Sequence, residues 1–448
     1  MRGRICTLLA SLFLCAATVW ADLPFRNHRY DAFKVLSVGP ENIVFIGNSI
    51  TNMNEWWESF GDDPRILNRG VSGAVSDEVL ANIESFIAGK PAKVFLMIGT
   101  NDLATEGINT VEHVVANITA FIDRVQRESP LTEIYIQSIL PSNNGRDPKL
   151  QKATNAEIKK VCDAKRVTYI DLWNQLFSIT QNHTHSLDNL HLFASGYKIW
   201  CEEIEKYVGV KSAYPAGLTN LSSGLSYSLG MRSSSFGAFG VKAGDVLIIG
   251  DEMVHGGEWH ELLGNAKVKN RGTSWGYPGV GISAIRAQIH TILKGRTDNA
   301  APAQIYLYAG VADVNNANDN LDDIARRYVA LIDTVRALAP GVPLRLMSLL
   351  PRTSADNTAR AAAFNAKLKA IADTIAGVAY IDIFTPLVKD GVADPVYITQ
   401  DYLYGRGYVK VAQVLARTIS GCRPISDEEA ERRLAAANSL LSKAAASH

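Results

Sequence analysis

The amino-acid sequence predicts an α/β protein built from two doubly wound, parallel-sheet domains in tandem. The chain has 448 residues, whereas single hydrophobic cores stop growing at roughly 250 to 300 residues. Short apolar runs alternate with longer helical patterns, which favours a parallel sheet covered by helices on both faces. The same succession of segments then occurs a second time, so the sequence predicts one fold twice.

Five short apolar runs in the first half are predicted to be the strands of one sheet. They cover residues 43–46, 66–67, 94–98, 134–139 and 168–172. Between the third and fourth runs, apolar residues recur every three or four positions from Val111 to Val125. This spacing is typical of an amphipathic helix with one buried stripe.

Segments of the first half return in the same order in the second half. The matched pairs are residues 42–47 with 244–250, Asn68-Arg69-Gly70 with Asn270-Arg271-Gly272, 111–125 with 321–335, and 169–172 with 380–383. The repeat predicts the domain organisation. We expect a signal peptide over residues 1–21, a first domain over 22–211, a linker over 212–227, a second domain over 228–424 and a helical tail over 425–448.

The N-terminal segment has the layout of a secretory signal peptide. Arg2 and Arg4 precede an apolar run over residues 5–19, and Ala21 stands directly before Asp22. The run is shorter than the ~20 residues that a membrane-spanning helix needs, and no later stretch is apolar enough to be one. We therefore expect an exported protein, periplasmic or extracellular, without a membrane span.

The charge balance and the cysteine content indicate which partners and bound groups to expect. The 45 basic and 45 acidic residues give a formal net charge of zero, which argues against a nucleic-acid partner and favours a neutral or polar small molecule or carbohydrate. Removal of the signal segment leaves Cys162, Cys201 and Cys422, an odd number without metal-ligand spacing. The sequence therefore predicts neither a metal site nor a cofactor.

Residues with reactive chemistry follow the predicted strands of the first half. Because open parallel sheets bind ligands at the carboxyl ends of their strands, these positions are candidates for a site. Ser49 follows the first strand, Gly73 follows the second and Asn101 the third. Asp188 and His191 stand three residues apart, close enough for the carboxylate to orient the imidazole. Each position alone is weak evidence, since an Asn-Ser pair after a strand is usually a helix cap.

Together, Ser49, Gly73, Asn101 and His191 resemble the four blocks that define the SGNH (GDSL-type) hydrolases, and the pattern is similar to bacterial acetylhydrolase-like members. The resemblance implies flavodoxin-like domains and a hydrolase without a cofactor. It also implies that Ser49 is the nucleophile, that His191 is the general base and then the acid, and that Asp188 orients His191. Gly73, Asn101 and the Ser49 backbone N–H would form the oxyanion hole.

The family usually has Asp before the serine. Here that residue is Asn48, and we expect altered local hydrogen bonding without loss of catalysis.

The second half lacks all five candidate residues. The replacements are Glu252 for Ser49, Trp275 for Gly73, Ala312 for Asn101, Thr399 for Asp188 and Tyr402 for His191. A one-residue slip of the alignment would place Gly276 opposite Gly73, and the other four replacements would stand. A site without a serine or an imidazole cannot run this chemistry, so we predict a degenerate, non-catalytic copy that binds a glycan or packs on the first domain.

A rival hypothesis gives the second half a new site. Its residues would be Glu252, Asp313, Asp401, His255 and His260, although solvated or helix-capping roles are the more common fate of such residues. Trp57 corresponds to His260, and its role stays open at this point.

These observations predict an exported serine esterase that hydrolyses short-chain esters, with acetyl expected, on carbohydrate through an acyl-enzyme. Two alternatives stay open. One is a lipase or thioesterase acting on longer acyl chains, and the other is a non-catalytic glycan-binding protein.

Overall fold

The computed structural model describes residues 26–142, 144–176, 185–186, 188–218, 227–273, 280–296 and 298–445. The predicted signal peptide, Trp275 and part of the predicted linker lie outside these residues. No helix in the described part of the chain is long and apolar enough to cross a membrane.

The first half forms a five-stranded parallel sheet, as the alternation of strands and helices predicted. Its strands are β1 (Ile43–Gly47), β2 (Ile66–Gly70), β3 (Lys93–Met97), β4 (Glu133–Gln137) and β5 (Thr168–Ile170). The strand order is β2-β1-β3-β4-β5, the flavodoxin-like order in which the carboxyl edges of β1 and β3 flank a crevice.

Helices cover both faces of this sheet. They are α1 (including 26–35), α2 (Ser49–Asn52), α3 (Trp56–Ser59), α4 (Ser76–Ala81), α5 (Glu84–Ile87), α6 (Val111–Glu128), α7 (Pro148–Lys165), α8 (including 173–176) and α9 (Ala194–Val208), with a 3-10 helix over Asp102–Ala104. Helix α6 buries the predicted stripe, which includes Val114, Ile118 and Phe121.

The second half forms an equivalent sheet, which confirms the tandem fold. Its strands are β6 (Val246–Gly250), β7 (Val268–Gly272), β8 (Gln304–Tyr308), β9 (Leu344–Met347) and β10 (Val378–Ile381), in the order β7-β6-β8-β9-β10. Two short antiparallel pairs follow, β11 (Val388–Lys389) with β12 (Val392–Ala393) and β13 (Ile398–Thr399) with β14 (Tyr402–Leu403). We call the unit on β1–β5 the first copy and the unit on β6–β10 the second copy.

Nine helices of the described second half complete the fold. They are α10 (Tyr227–Phe239), α11 (Glu252–Gly256), α12 (Trp259–Leu262), α13 (Ile282–Lys294), α14 (Val311–Asn315), α15 (Leu321–Leu338), α16 (Ala355–Thr374), α17 (Gly405–Ala416) and α18 (Asp427–Ala445), with a 3-10 helix over Thr385–Leu387. Helix α18 begins after Ser426, whose Oγ accepts the Glu429 backbone N–H at 3.1 Å, and it buries Ala430 and Leu434.

The helix that precedes each sheet also contacts the other copy. The Gly405 N–H at the start of α17 donates to Asp31 Oδ2 on α1 at 2.9 Å. In the reciprocal contact, the Ala194 N–H at the start of α9 donates to Ser234 Oγ on α10 at 2.9 Å. Helices α1 and α10 therefore tie the two copies together.

Candidate active site

Ser49, His191 and Asp188 form a continuous hydrogen-bonded chain at the carboxyl edge of the first sheet. Ser49 opens α2 directly after β1. Its Oγ lies 2.8 Å from His191 Nε2, and His191 Nδ1 lies 2.6 Å from Asp188 Oδ2. Residues 142 positions apart in the sequence thus meet in the geometry that activates a serine hydroxyl.

Asp188 also fixes the loop that carries His191. Its Oδ1 accepts the backbone N–H groups of Leu190 at 3.0 Å and His191 at 2.8 Å, and it accepts the Ser186 hydroxyl at 3.1 Å. The side chain of Asp188 is 1% exposed and that of His191 is 15% exposed. The carboxylate is therefore held from several sides, while the imidazole remains partly exposed.

Gly73 and Asn101 lie on the loops that follow β2 and β3, the two strands that flank β1 in the sheet. Gly73 has a φ of +80°, a backbone conformation that favours glycine. The Arg26 guanidinium donates to the Gly73 carbonyl at 2.8 Å. Asn101 Nδ2 donates to the Ala74 carbonyl at 3.0 Å, which uses one of the two hydrogens of this amide.

Comparison with known proteins decides the family. The profile of the GDSL-like Lipase/Acylhydrolase family matches residues 45–199 and, separately, residues 248–408. The chain belongs to the GDSL-like lipase/acylhydrolase family. Each match covers one of the two parallel sheets, so the family fold occurs twice in this chain.

Individual relatives each cover less than half of this chain. The platelet-activating factor acetylhydrolase IB subunit alpha2 of Rattus norvegicus is 26% identical over 202 residues, covering 43% of this chain and 84% of the relative. A Streptococcus pneumonia structure described as a platelet activating factor is 28% identical with a TM-score of 0.39, covering 45% of this chain and 99% of that one. An acetylxylan esterase mutant from Geobacillus stearothermophilus is 17% identical with a TM-score of 0.34, covering 39% and 97%.

The departure from the GDSL-like pattern at Asn48 leaves the helix cap intact. Asn48 Oδ1 accepts the Ile50 N–H at 3.0 Å, and in the second copy Asp251 Oδ1 accepts the Met253 N–H at 3.1 Å. Burial raises the pKa of Asp251 to about 8, whereas an amide does not titrate. The substitution therefore keeps the N-cap and removes a carboxyl group from beside Ser49.

The second copy places two of the predicted replacements at equivalent positions of the fold. Glu252 is the first residue of α11, as Ser49 is of α2. Thr399 and Tyr402 are paired across β13 and β14, and Tyr402 lies two residues before the N-cap of α17, as His191 does before that of α9. Ala312 lies in α14. Glu252 and Tyr402 therefore have the places in the second copy that Ser49 and His191 have in the first.

The five residues of the rival site are not assembled into one group. Glu252 and Asp401 line a small cavity with Arg352 and Tyr402, and Asp401 lies 3.3 Å from Arg352. His255 and His260 instead lie against the first copy, where His255 Nε2 is 3.0 Å from Asn52 Oδ1.

Trp56 and Trp57 are both buried, but Trp56 bonds within its own copy whereas Trp57 contacts the other copy. Trp56 Nε1 donates to the Thr51 carbonyl at 2.8 Å, and Trp259 makes the same 2.8 Å bond to Val254 in the second copy. Trp57 stacks on His260 with the ring centres 4.3 Å apart. Both tryptophans are therefore structural, and Trp57 belongs to the contact between copies.

The sequence did not reveal the role of Asp102. Its Oδ1 accepts the Ser76 backbone N–H at 2.9 Å at the start of α4. In the second copy Asp313 Oδ2 accepts the Ile282 N–H at 2.8 Å at the start of α13. Asp77, Asp102 and His113 are the one acidic and histidine cluster with metal-like spacing in the described part of the chain. Helix capping in both copies therefore accounts for Asp102. The recurrence of this aspartate as Asp313 in the second half is the sequence signal that points to a structural role.

Proposed function

We propose that the first copy is a serine esterase that removes short acyl groups, acetyl above all, from a carbohydrate alcohol. The observation that carries the proposal is the chain from Ser49 Oγ to His191 Nε2 at 2.8 Å and from His191 Nδ1 to Asp188 Oδ2 at 2.6 Å. Family membership gives the class of reaction, acyl hydrolysis.

The reaction follows from these three side chains. Ser49 Oγ forms a bond to the acyl carbon while its proton moves to His191 Nε2. Collapse of the tetrahedral intermediate breaks the bond to the leaving alcohol, which takes this proton from Nε2. Water then attacks the acyl-enzyme with His191 again as base, releasing the carboxylic acid and the Ser49 hydroxyl. Asp188 keeps the proton on Nδ1 and stabilises the imidazolium.

The developing oxyanion needs donors placed in advance. We assign the Ser49 and Gly73 backbone N–H groups and Asn101 Nδ2 to this role. The positive φ of Gly73 and the second Nδ2 hydrogen of Asn101, which is left after its bond to Ala74, support the assignment.

Two observations favour a short acyl group. Short connections join most of the successive strands and helices of the first copy, which leaves little chain for a lid over a long acyl tail. A relative that covers one copy is named an acetylhydrolase. The segment over residues 1–21 supports export to a periplasm or the cell exterior, where glycans are the abundant polar alcohols.

We further propose that the second copy is catalytically inactive. Glu252 and Tyr402 at the positions of Ser49 and His191 support this, because neither side chain can replace a hydroxyl activated by an imidazole. Binding of a glycan by this copy remains compatible with the proposal.

A panel of esters tests the acyl specificity. Activity is measured on p-nitrophenyl esters of increasing chain length and on O-acetylated sugars, and kcat/KM should fall beyond about two to four carbons. A pocket built for long chains would instead gain roughly fourfold per methylene, since each buried methylene contributes ~0.8 kcal/mol. A steady rise to about eight carbons would overturn the acetyl proposal in favour of a lipase.

A further inference from the structure

Equivalent residues of the two copies meet at the contact between them. Trp57 stacks on its own counterpart, His260, and Asn52 lies 3.0 Å from its own counterpart, His255. An isologous interface between two identical subunits has this property. The contact between the copies therefore has the arrangement of an isologous interface within a single chain.

Four buried Arg–Glu pairs among the described residues repeat this symmetry. Arg69 donates to Glu261 at 2.8 and 2.7 Å, and the equivalent Arg271 donates to Glu58 at 2.7 and 2.8 Å. The other two pairs are Arg29 with Glu258 and Arg232 with Glu55. Such pairs fix the relative position of the two copies, because moving one partner leaves the opposite charge buried and unpaired, which is strongly destabilising.

Contacts from the second copy reach the turn that carries the nucleophile. Arg232 on α10 donates to the Met53 carbonyl at 3.0 Å and to Glu55 at 2.6 Å. Met53 is the C-cap of α2, the helix that Ser49 opens. The far end of this one-turn helix is thus bonded to a side chain of the second copy.

His255 connects the second copy to the loop beside the reacting atoms. Its Nε2 lies 3.0 Å from Asn52 Oδ1, which also accepts the Ser72 hydroxyl at 2.9 Å. Ser72 directly precedes Gly73. Burial, aided by Arg232 and Arg29, lowers the pKa of His255 well below its usual range. The neutral ring can then present an N–H to the Asn52 oxygen.

We propose that His255 of the second copy is a positioning residue for the first copy's active site. Through Asn52 and Ser72 it fixes the Gly73 N–H against the position of the oxyanion. The inference rests on the proposed esterase function. It gives the second copy a reason to be kept after its own triad residues are replaced: the first copy's catalytic geometry depends on it.

The test uses the full-length chain and steady-state hydrolysis of p-nitrophenyl acetate. His255→Ala should lower kcat about 10- to 100-fold with little change in KM, because misplaced donors weaken the transition state more than the bound substrate. His255→Gln should restore most of kcat, since its amide can donate from the place of Nε2. Ser72→Ala should reproduce the loss of kcat, and it should be non-additive with His255→Ala.

His260→Ala is the matched control, because His260 is a buried histidine of the same interface that stacks on Trp57. It should lower the unfolding midpoint and leave kcat unchanged. A folded His255→Ala protein with wild-type kcat, or an equal loss of kcat in His260→Ala, would overturn the inference. If His255→Ala does not fold, the inference is tested by the other two variants. It then requires a loss of kcat in Ser72→Ala and a nearly wild-type kcat in His255→Gln, and a wild-type kcat in folded Ser72→Ala would overturn it. Wild-type protein without turnover would instead reject the proposed esterase function.

Discussion

Asn48 and Asp251 occupy one position of the fold with different consequences. Both cap the helix that follows the first strand of their copy, and both are buried. Burial raises the pKa of Asp251 to about 8, far above that of an aspartate in an unfolded chain. Between about pH 4 and pH 8, Asp251 is therefore protonated in the folded protein and ionised in the unfolded chain.

This difference predicts how stability changes with pH. A raised carboxyl pKa stabilises the fold fully below the unfolded value, and this contribution is lost as pH rises through the folded value. Between pH 5 and 7, wild-type protein should lose about 1.4 kcal/mol per pH unit relative to Asp251→Asn. Urea unfolding at several pH values measures this. The exposed Asp373→Asn variant is the control, and parallel curves for Asp251→Asn and wild type would refute the prediction.

The sequence predicted that Ser49, Asp188 and His191 belong to one site, and the structure brings them into contact, whereas the residues around them could not be predicted. Ser49, Asp188 and His191 stand in motifs whose order and spacing are visible along the chain. Arg26, Ser72 and His255 act only through contacts made after folding, and no local pattern marks them. From the sequence, His255 enters only the rival hypothesis of a separate site, because nothing in the sequence indicates that the copies meet at this surface.

At the scale of elements, the repeated Asn-Arg-Gly segment shows why a pattern recurs in both copies. Asn68 Nδ2 donates to the carbonyls of Asn52 and Asn54, each at 3.1 Å. A Cβ on Gly70 would lie 2.2 Å from the Asn52 nitrogen. Arg69 forms the ion pair to the other copy. Asn68 therefore stabilises the turn, Gly70 allows the close approach of α2, and Arg69 contributes to the interface between the copies.

Strands were easier to predict than short helices. The apolar runs anticipated β1, β3 and β4 best, because at least four of the five residues in each are buried and strands covered on both faces are mostly apolar. Helices α2 and α3 have four residues each, too few to show helical periodicity. The pairs β11–β12 and β13–β14 have two residues per strand, which is shorter than any alternation that a sequence could display.

At the scale of the whole molecule, the two copies form one unit through a buried, charged contact. Arg69 is 0% exposed and its partner Glu261 is 10% exposed. Although burial favours the protonated acid, the paired Arg69 lowers the pKa of Glu261, so the pair is ionised in the folded protein. Removal of one partner leaves the other charge buried without compensation.

A double-mutant cycle measures this coupling. Arg69→Met should lower the free energy of unfolding by about 3 to 5 kcal/mol, and adding Glu261→Leu should recover most of the loss. Urea unfolding of the four proteins gives the coupling energy. In the control pair, Arg65 is 52% exposed beside Asp63, and Arg65→Met should cost less than about 1 kcal/mol. Additive losses at Arg69 and Glu261 would contradict the cycle.

The most direct test of the account asks which serine is activated. Full-length wild-type protein and its Ser49→Ala and His191→Ala variants are treated with a fluorophosphonate, and the labelled peptides are identified by mass spectrometry. We expect one label on wild-type protein, located on Ser49, and none on either variant, because only a serine paired with a base reacts. An unlabelled Ser49 in folded wild-type protein, or a label within residues 246–416, would contradict a single working triad in the first copy.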